Sequence, residues 1–483
     1  MKNVELLVGG RSAAARGGAT FDRIDPFTGE VATRAAAATV EDADDAAAAA
    51  QAAFPTWSAL SASERRARLN QAAEELAAFT PEFIATGIAE TGGTAGWFGF
   101  NVMLAASMLR EAAALTTQIG GEVLPSEVPG NYALAVRRPC GVVLGIAPWN
   151  APVILGVRAI AAPLACGNTV VLKASEICPG VHRLIGEAMQ RAGLGDGVVN
   201  VVTHAPSDAP VIVERLIAHP AVRRVNFTGS TAVGRKVAQI AGKYLKPALL
   251  ELGGKAPLLV LDDADLDAAA AAANFGAFAN QGQICMSTER IIVDQKVAGA
   301  FVEKLAARAG TLHAVDPRKQ DAVLGSLVSA DAAGRVHTLV EDAVDKGAHL
   351  VLGGQLDGAL MQPTILDHVT AGMRLYSEES FGPVVAVIRA SGDEDAIRIA
   401  NDSQYGLSAS VFSRDTARAL EIAGRIDSGI CHVNGPTVHD EANMPFGGVK
   451  DSGYGRFGGK AAVAEFTDLR WITAQTAPRH YPF

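Results

Sequence analysis

The chain has 483 residues, 49% apolar and 19% charged, with a formal net charge of −9. That length exceeds what one hydrophobic core serves and implies two or three domains, and the acidic balance argues against nucleic acid or an anionic membrane as partner. Met1-Lys2-Asn3-Val4-Glu5 lacks the basic flank and apolar core of a secretory signal, and Arg158 and Gly167 break up the longest apolar run. Cysteines at 140, 166, 178, 285 and 431 fit neither a disulfide framework nor a zinc site. The expected setting is a reducing cytoplasm.

Residues 41–118 read as helices, with apolar positions at three- and four-residue spacing over 64–79 and 98–119. A β-like stretch covers 132–136. From 141 the pattern alternates, with strands expected at 141–147, 169–173, 198–202 and 223–227 and helices at 154–166, 179–192, 207–217 and 230–243. That order predicts a parallel sheet covered by helices on both faces. A second alternating block follows from 257, with strands expected at 289–294, 384–389, 408–413 and 428–433. The fold class is therefore α/β with two parallel-sheet domains, joined near Leu252–Lys255. The last run, 466–473, reads as a strand with no local partner, to pair with 132–136 or with another subunit.

Thr228-Gly229-Ser230-Thr231-Ala232-Val233-Gly234 follows a strand and opens a helix. Glycines at such a turn let backbone approach a phosphate, and the helix N-terminus supplies N–H groups and a favourable dipole. The strand 169–173 delivers Lys173 and Glu176 at its carboxyl end, where ligands of open α/β sheets bind. A lysine and a carboxylate there suit ribose hydroxyls, and the carboxylate would repel a 2′-phosphate, favouring NAD over NADP. A surface ion pair opening a helix explains the same two residues equally well. Gly453-Tyr454-Gly455-Arg456-Phe457-Gly458 also matches a dinucleotide fingerprint, but it neither follows a strand nor opens a long βαβ unit, and is expected to be a flexible glycine loop.

Three residues could carry covalent chemistry. Asn150, in Pro148-Trp149-Asn150 after a strand, could donate to a developing oxyanion or simply cap the next helix. Glu251, between an apolar strand and two glycines, could activate water or be a paired structural carboxylate. Cys285 could be a nucleophile once ionised, or an inert core thiol like the other four. His439-Asp440-Glu441 has no second ligand cluster, so no metal is expected and a loop near a cavity mouth is the simpler reading.

Across its whole length the sequence resembles the aldehyde dehydrogenase superfamily. The resemblance rests on Pro148-Trp149-Asn150, Lys173-Ala174-Ser175-Glu176, Phe227-Thr228-Gly229-Ser230-Thr231, Glu251-Leu252-Gly253-Gly254-Lys255, Gly282-Gln283-Ile284-Cys285, Glu379-Ser380-Phe381-Gly382-Pro383 and Pro445-Phe446-Gly447-Gly448, in the family's order. It implies a Rossmann-like cofactor domain of residues 1–118 and 141–252, a catalytic domain of 253–462, and a small β oligomerisation element of 119–140 and 463–483. It also implies Cys285 as nucleophile, Glu251 as general base, and Asn150 with the Cys285 N–H as oxyanion hole. Lys173 and Glu176 would hold the adenosine ribose, and Gly229, Ser230 and Gly234 would form the pyrophosphate region. Glu379 would take the nicotinamide ribose, Phe381 would pack beside the nicotinamide, and Trp149 would line the cleft. Ala174-Ser175 departs from the family, which usually has proline soon after the strand lysine.

Segments at 97–102, 151–158, 434–441 and 478–483 are similar to bacterial aromatic aldehyde dehydrogenases of the vanillin, salicylaldehyde and benzaldehyde type, the vanillin group being nearest. The implied reaction is NAD-dependent oxidation of an aromatic aldehyde to its acid, without coenzyme A, by a homodimer or homotetramer. An aliphatic or semialdehyde dehydrogenase, or a non-catalytic binding protein of the same fold, are the alternatives. Two residues bear on the substrate. Arg158 lies about two helical turns beyond Asn150 and could pair with a ring hydroxyl or make an internal salt bridge. Trp97 could form a wall of the substrate slot or belong to the core.

Overall fold

A computed structural model describes all residues, Met1–Phe483. Its first sheet has a core of five parallel strands, ordered Ala248–Glu251, Val222–Thr228, Val142–Ile146, Thr169–Lys173 and Val199–Val202. Apolar residues on both faces of these strands meet helices. Val40–Ser58, Ala209–Ala218 and Thr231–Lys243 cover one face, and Pro152–Ala165 and Pro179–Arg191 the other, backed by Ala62–Ala78 and Ala95–Leu115. A second sheet has six parallel strands, ordered Thr364–Asp367, Val384–Ala390, Thr288–Asp294, Ala256–Val260, Ser408–Phe412 and Ile430–Val433. No helix is long and apolar enough to cross a membrane.

The expected α/β class and the alternating elements are present, with several differences at their ends. The helix expected over 98–119 runs Ala95–Leu115, because Thr116 turns its hydroxyl back onto the Ala113 carbonyl at 2.8 Å. Short strands before residue 40 carried no recognised signal, although one was available. Gly9 and Gly10, at φ 59° and 77°, make the two-residue turn of a hairpin pairing Leu6–Val8 with Arg11–Ala13. That hairpin extends the first sheet beyond Val199–Val202. Ala256–Val260 was missed as a strand because Pro257 interrupts it; the ladder absorbs the proline by a register shift.

The glycine-rich 453–458 segment is not a loose loop. Gly453–Tyr454 pairs antiparallel with Leu250 and Glu251, closing the edge of the first sheet with residues from the second block. A Cβ on Gly453 would lie 2.1 Å from the Leu250 carbonyl oxygen, so glycine is required for that approach. The final strand, Thr467–Gln475, pairs with Asn131–Pro139 from Thr467↔Pro139 to Gln475↔Asn131, and Gly121–Leu124 completes a three-stranded sheet. The first of the two expected pairings is therefore the one made within the chain.

Candidate active site

Register gathers the chemistry. Ile146 pairs with both Lys173 and Phe227, and Thr228 pairs with Glu251, so four neighbouring parallel strands end at one level. Residues distant in sequence are thereby delivered to a single sheet edge: Trp149 and Asn150, Lys173 and Glu176, Gly229 and Ser230, and Glu251.

Asn150 is not a helix cap. The next helix starts from Ala151 with no side-chain cap, whereas Asn150 Nδ2 donates to the Gln283 carbonyl at 3.0 Å. Its own carbonyl accepts from Trp97 Nε1 and Asn280 Nδ2, each at 3.0 Å. Trp97 is therefore partly core and partly cavity wall, and it braces Asn150.

The loop carrying Cys285 follows the helix Leu266–Phe278 and bends sharply. Asn280, Gln281 and Gly282 sit in the left-handed region at φ 48°, 57° and 70°. For the two non-glycine residues this costs on the order of 1–3 kcal/mol each, so other contacts must hold the bend. They include Ser287 Oγ donating to the Gly282 carbonyl at 3.0 Å and the Val328 N–H donating to Gln283 Oε1 at 3.0 Å. A Cβ on Gly254 would stand 2.3 Å from the Cys285 carbonyl oxygen, and one on Gly253 would stand 2.6 Å from Glu379 Oε2. The paired glycines after Glu251 thus make room for Cys285 and Glu379.

Glu251 is buried, and neither of its carboxylate oxygens has a hydrogen-bond partner. Burial pushes it up to about 7, against the downward pull of the Cys285 thiol and the Arg158 charge. Burial also pushes the Cys285 thiol well above its ordinary value, and the Glu251 charge adds to the rise while Arg158 opposes it. At rest the sulfur therefore holds its proton. Burial raises Cys140, Cys166, Cys178 and Cys431 as well, so acidity does not single out Cys285. Cys285 is distinguished by facing Glu251 while lining an open cavity.

Glu379 accepts from the Gly254 N–H at 2.8 Å, and burial pushes it up to about 7. The next residues are held by Glu289, which accepts from Ser380 Oγ at 2.8 Å and from the Ser380 and Phe381 N–H groups at 2.9 and 3.1 Å. Glu289 is neutralised by the fully buried Lys255 at 2.7 Å. Sequence reading assigned neither residue a role. A lysine closing the Glu251 motif, in a segment too apolar to leave it solvated, was the available signal. Phe381, at φ 50°, meets the Trp149 ring edge-on with centroids 5.6 Å apart.

The cofactor edge suits a dinucleotide. Thr231–Lys243 has Ser230 as N-cap and no acidic residue in its first turn, leaving its N-terminus attractive to an anion. Gly234 lets that helix lie against Leu252, where a Cβ would come within 2.3 Å of a methyl group. Lys173 Nζ lies 3.5 Å from Glu176. Burial lowers Lys173, while Glu176 stays below its ordinary value because Lys173 and backbone N–H bonding outweigh its own burial.

A cavity of about 880 Å³ opens over Cys285, with 18 of its 27 lining residues hydrophobic. Phe100, Leu155, Phe275, Met286, Val438 and Phe446 contribute to its walls, and sequence reading missed them because helical or loop spacing does not reveal which face points inward. Arg158 lines the cavity and makes an internal salt bridge to Asp440, with its guanidinium 4.1 Å from the centroid of the Phe446 ring. Of the two readings of Arg158, the internal salt bridge is formed, through Nη2, while the residue also lines the cavity. His439 Nε2 is 2.9 Å from Glu441 Oε1 in the loop beside the cavity.

The chain is 67% identical to vanillin dehydrogenase of Pseudomonas fluorescens over 482 residues, covering 100% of both chains. It is 50% identical to salicylaldehyde dehydrogenase of Pseudomonas putida, covering 96% of each. The crystal structure of a salicylaldehyde dehydrogenase from Pseudomonas putida G7 complexed with salicylaldehyde superimposes with a TM-score of 0.98 at 48% identity, covering 100% of both chains. The model of the aldehyde dehydrogenase family matches residues 13–472, and the chain belongs to that family.

Proposed function

We propose that this aldehyde dehydrogenase oxidises aromatic aldehydes of the vanillin and hydroxybenzaldehyde type to carboxylic acids, with NAD as acceptor. The observation that carries the reading is the large, mostly apolar cavity over Cys285, with Asn150 in its wall and Glu251 beside the thiol. A flat ring needs such a slot with few placed polar groups. The high identity to a vanillin dehydrogenase over the full chain supports the same choice.

The chemistry follows from the resting protonation. Glu251, the carboxylate beside the sulfur, takes the Cys285 proton as the sulfur adds to the aldehyde carbon. The oxygen becomes an oxyanion, to which Asn150 Nδ2 and the Cys285 N–H donate once the amide leaves the Gln283 carbonyl. A nicotinamide cofactor in the cleft supplies the hydride acceptor. Loss of hydride leaves a thioester on Cys285. Glu251, having released its proton to solvent, then takes one from water, whose oxygen attacks the thioester carbon; the C–S bond breaks, Glu251 returns that proton to the sulfur, and the acid departs. For the cofactor, Lys173 and Glu176 would bind the adenosine ribose, Gly229, Ser230 and Gly234 would accommodate the pyrophosphate, and Glu379 would hold the nicotinamide ribose. Phe381 and Trp149 would flank the ring end of the cleft. The exposed side chains of Leu469 and Trp471 on the terminal strand suit association of copies into a dimer, or a tetramer of dimers.

Activity on a panel of benzaldehydes and linear aldehydes, compared as kcat/KM, should favour the ring compounds and vanish in Cys285→Ala. Higher values for every linear aldehyde would reject the aromatic reading. Because Glu251 acts when ionised and sits at about 7, turnover should climb as pH rises through that value. Glu251→Gln should keep a single burst of NADH and then turn over about 100-fold or more slowly; unchanged steady-state turnover would remove Glu251 from the mechanism. Wild type should prefer NAD to NADP, and Glu176→Gln should narrow the ratio by lifting repulsion of the 2′-phosphate. A ratio that does not move would assign the preference elsewhere. Sedimentation should give a dimer or larger species, shifted toward monomer by Leu469→Asp with Trp471→Asp, whereas a monomeric wild type would exclude the association.

A further inference from the structure

We infer that Asp440 accepts a hydrogen bond from a hydroxyl on the substrate ring, so that the cavity selects phenolic aldehydes over their methyl ethers. The inference rests on the aromatic-aldehyde reading above and adds the group that reads the ring substituent.

Most polar groups in the cavity wall are already engaged. Asn150 and Asn280 bond each other and the Gln283 carbonyl, the Thr94 hydroxyl accepts from the Trp97 N–H, and His439 pairs with Glu441. Arg158 Nη2 donates to Asp440 Oδ2, and the guanidinium lies over the Phe446 ring. The other carboxylate oxygen, Asp440 Oδ1, is enclosed with no partner, and the Asp440 side chain is only 10% exposed. A carboxylate oxygen kept from water without a donor is unfavourable, so a ligand that brings a donor is rewarded. A phenol O–H is a donor, whereas an aryl methyl ether offers only acceptors and would face the carboxylate with its oxygen lone pairs. Arg158 fixes the orientation of the carboxylate, leaving Oδ1 as its free acceptor.

The acceptor is also tied to the nucleophile's loop. Thr437, three residues before Asp440, donates to the Met286 carbonyl at 2.7 Å and lies 2.8 Å from the Thr288 hydroxyl. The segment leading to Asp440 is therefore hydrogen-bonded to the residues that follow Cys285. Asn274 is the other cavity-lining residue with an unpartnered acceptor, Oδ1, but it is half-exposed and adjoins Phe275, which is 52% exposed. Asp440 is the better enclosed of the two.

The test measures kcat/KM for benzaldehyde, for 2-, 3- and 4-hydroxybenzaldehyde and for the matching methoxybenzaldehydes. In wild type, at one ring position at least, the hydroxyl compound should exceed its methyl ether by about tenfold to a hundredfold. Asp440→Asn should shrink that ratio, and the double variant Arg158→Met with Asp440→Leu, which removes both charges together, should bring it near one. Thermal melts report whether each variant folds, and the wild-type ratios stand independently of them. Absence of a hydroxyl preference in wild type, its survival in the folded double variant, or its loss in Asn274→Leu with Asp440 intact would each overturn the role of Asp440. Efficient benzaldehyde turnover with no hydroxyl preference would overturn only this inference, whereas faster turnover of every linear aldehyde would overturn the aromatic reading beneath it.

Discussion

Both carboxylate oxygens of Glu251 are enclosed at the end of a parallel strand, near the Cys285 thiol and the Thr228 hydroxyl, with neither close enough in geometry to complete a hydrogen bond. Much of the surrounding architecture holds that arrangement in place. The Gly453–Tyr454 strand locks Glu251 from one side, and Ser452 Oγ donates to the Gly253 carbonyl at 2.7 Å. The two glycines that follow admit the backbone of Cys285 and the side chain of Glu379, so the junction between the two sheets passes directly through the reacting groups. A stabilising donor to Glu251 would lower its pKa and blunt it as a base near neutral pH.

The same dependence explains why Cys285 need not be acidic at rest. All five thiols are raised by burial, and Cys285 alone among them lines the large cavity. Cys285 combines an open cavity with an adjacent base that can carry its proton. Positioning supplies the reactivity, in a loop whose left-handed residues are held by Asn150, Ser287 and the chain around Val328.

Electrostatic pairing then divides the cavity into reactive and recognising parts. Lys255 and Glu289 neutralise each other behind the Glu379–Phe381 loop, and Arg158 and Asp440 do so in the cavity wall. Such buried pairs cost desolvation, and they stabilise only where additional hydrogen bonds satisfy the remaining atoms. Glu289 is satisfied by three donors from Ser380 and Phe381, whereas Asp440 keeps one oxygen free. One pair is a rigid support, and the other leaves an enclosed acceptor on a residue that lines the cavity.

Much of this was legible in the chain. Strand-to-turn segments ending in Asn150, Lys173, Gly229 and Glu251 could be read because parallel strands are apolar runs closed by characteristic turns, and such turns carry ligand-binding residues at the sheet edge. The residue types themselves fixed what chemistry was available: a thiol, a carboxylate, an amide and an anion-binding helix start. Sequence could not decide whether Asn150 capped a helix, whether Arg158 was free, or whether 453–458 was a loop. Each of those depends on a partner far away in the chain: Gln283, Asp440 and Leu250. Local periodicity specifies which face of an element is apolar, but only the register between strands and the packing of the two sheets decide which distant side chain meets that face.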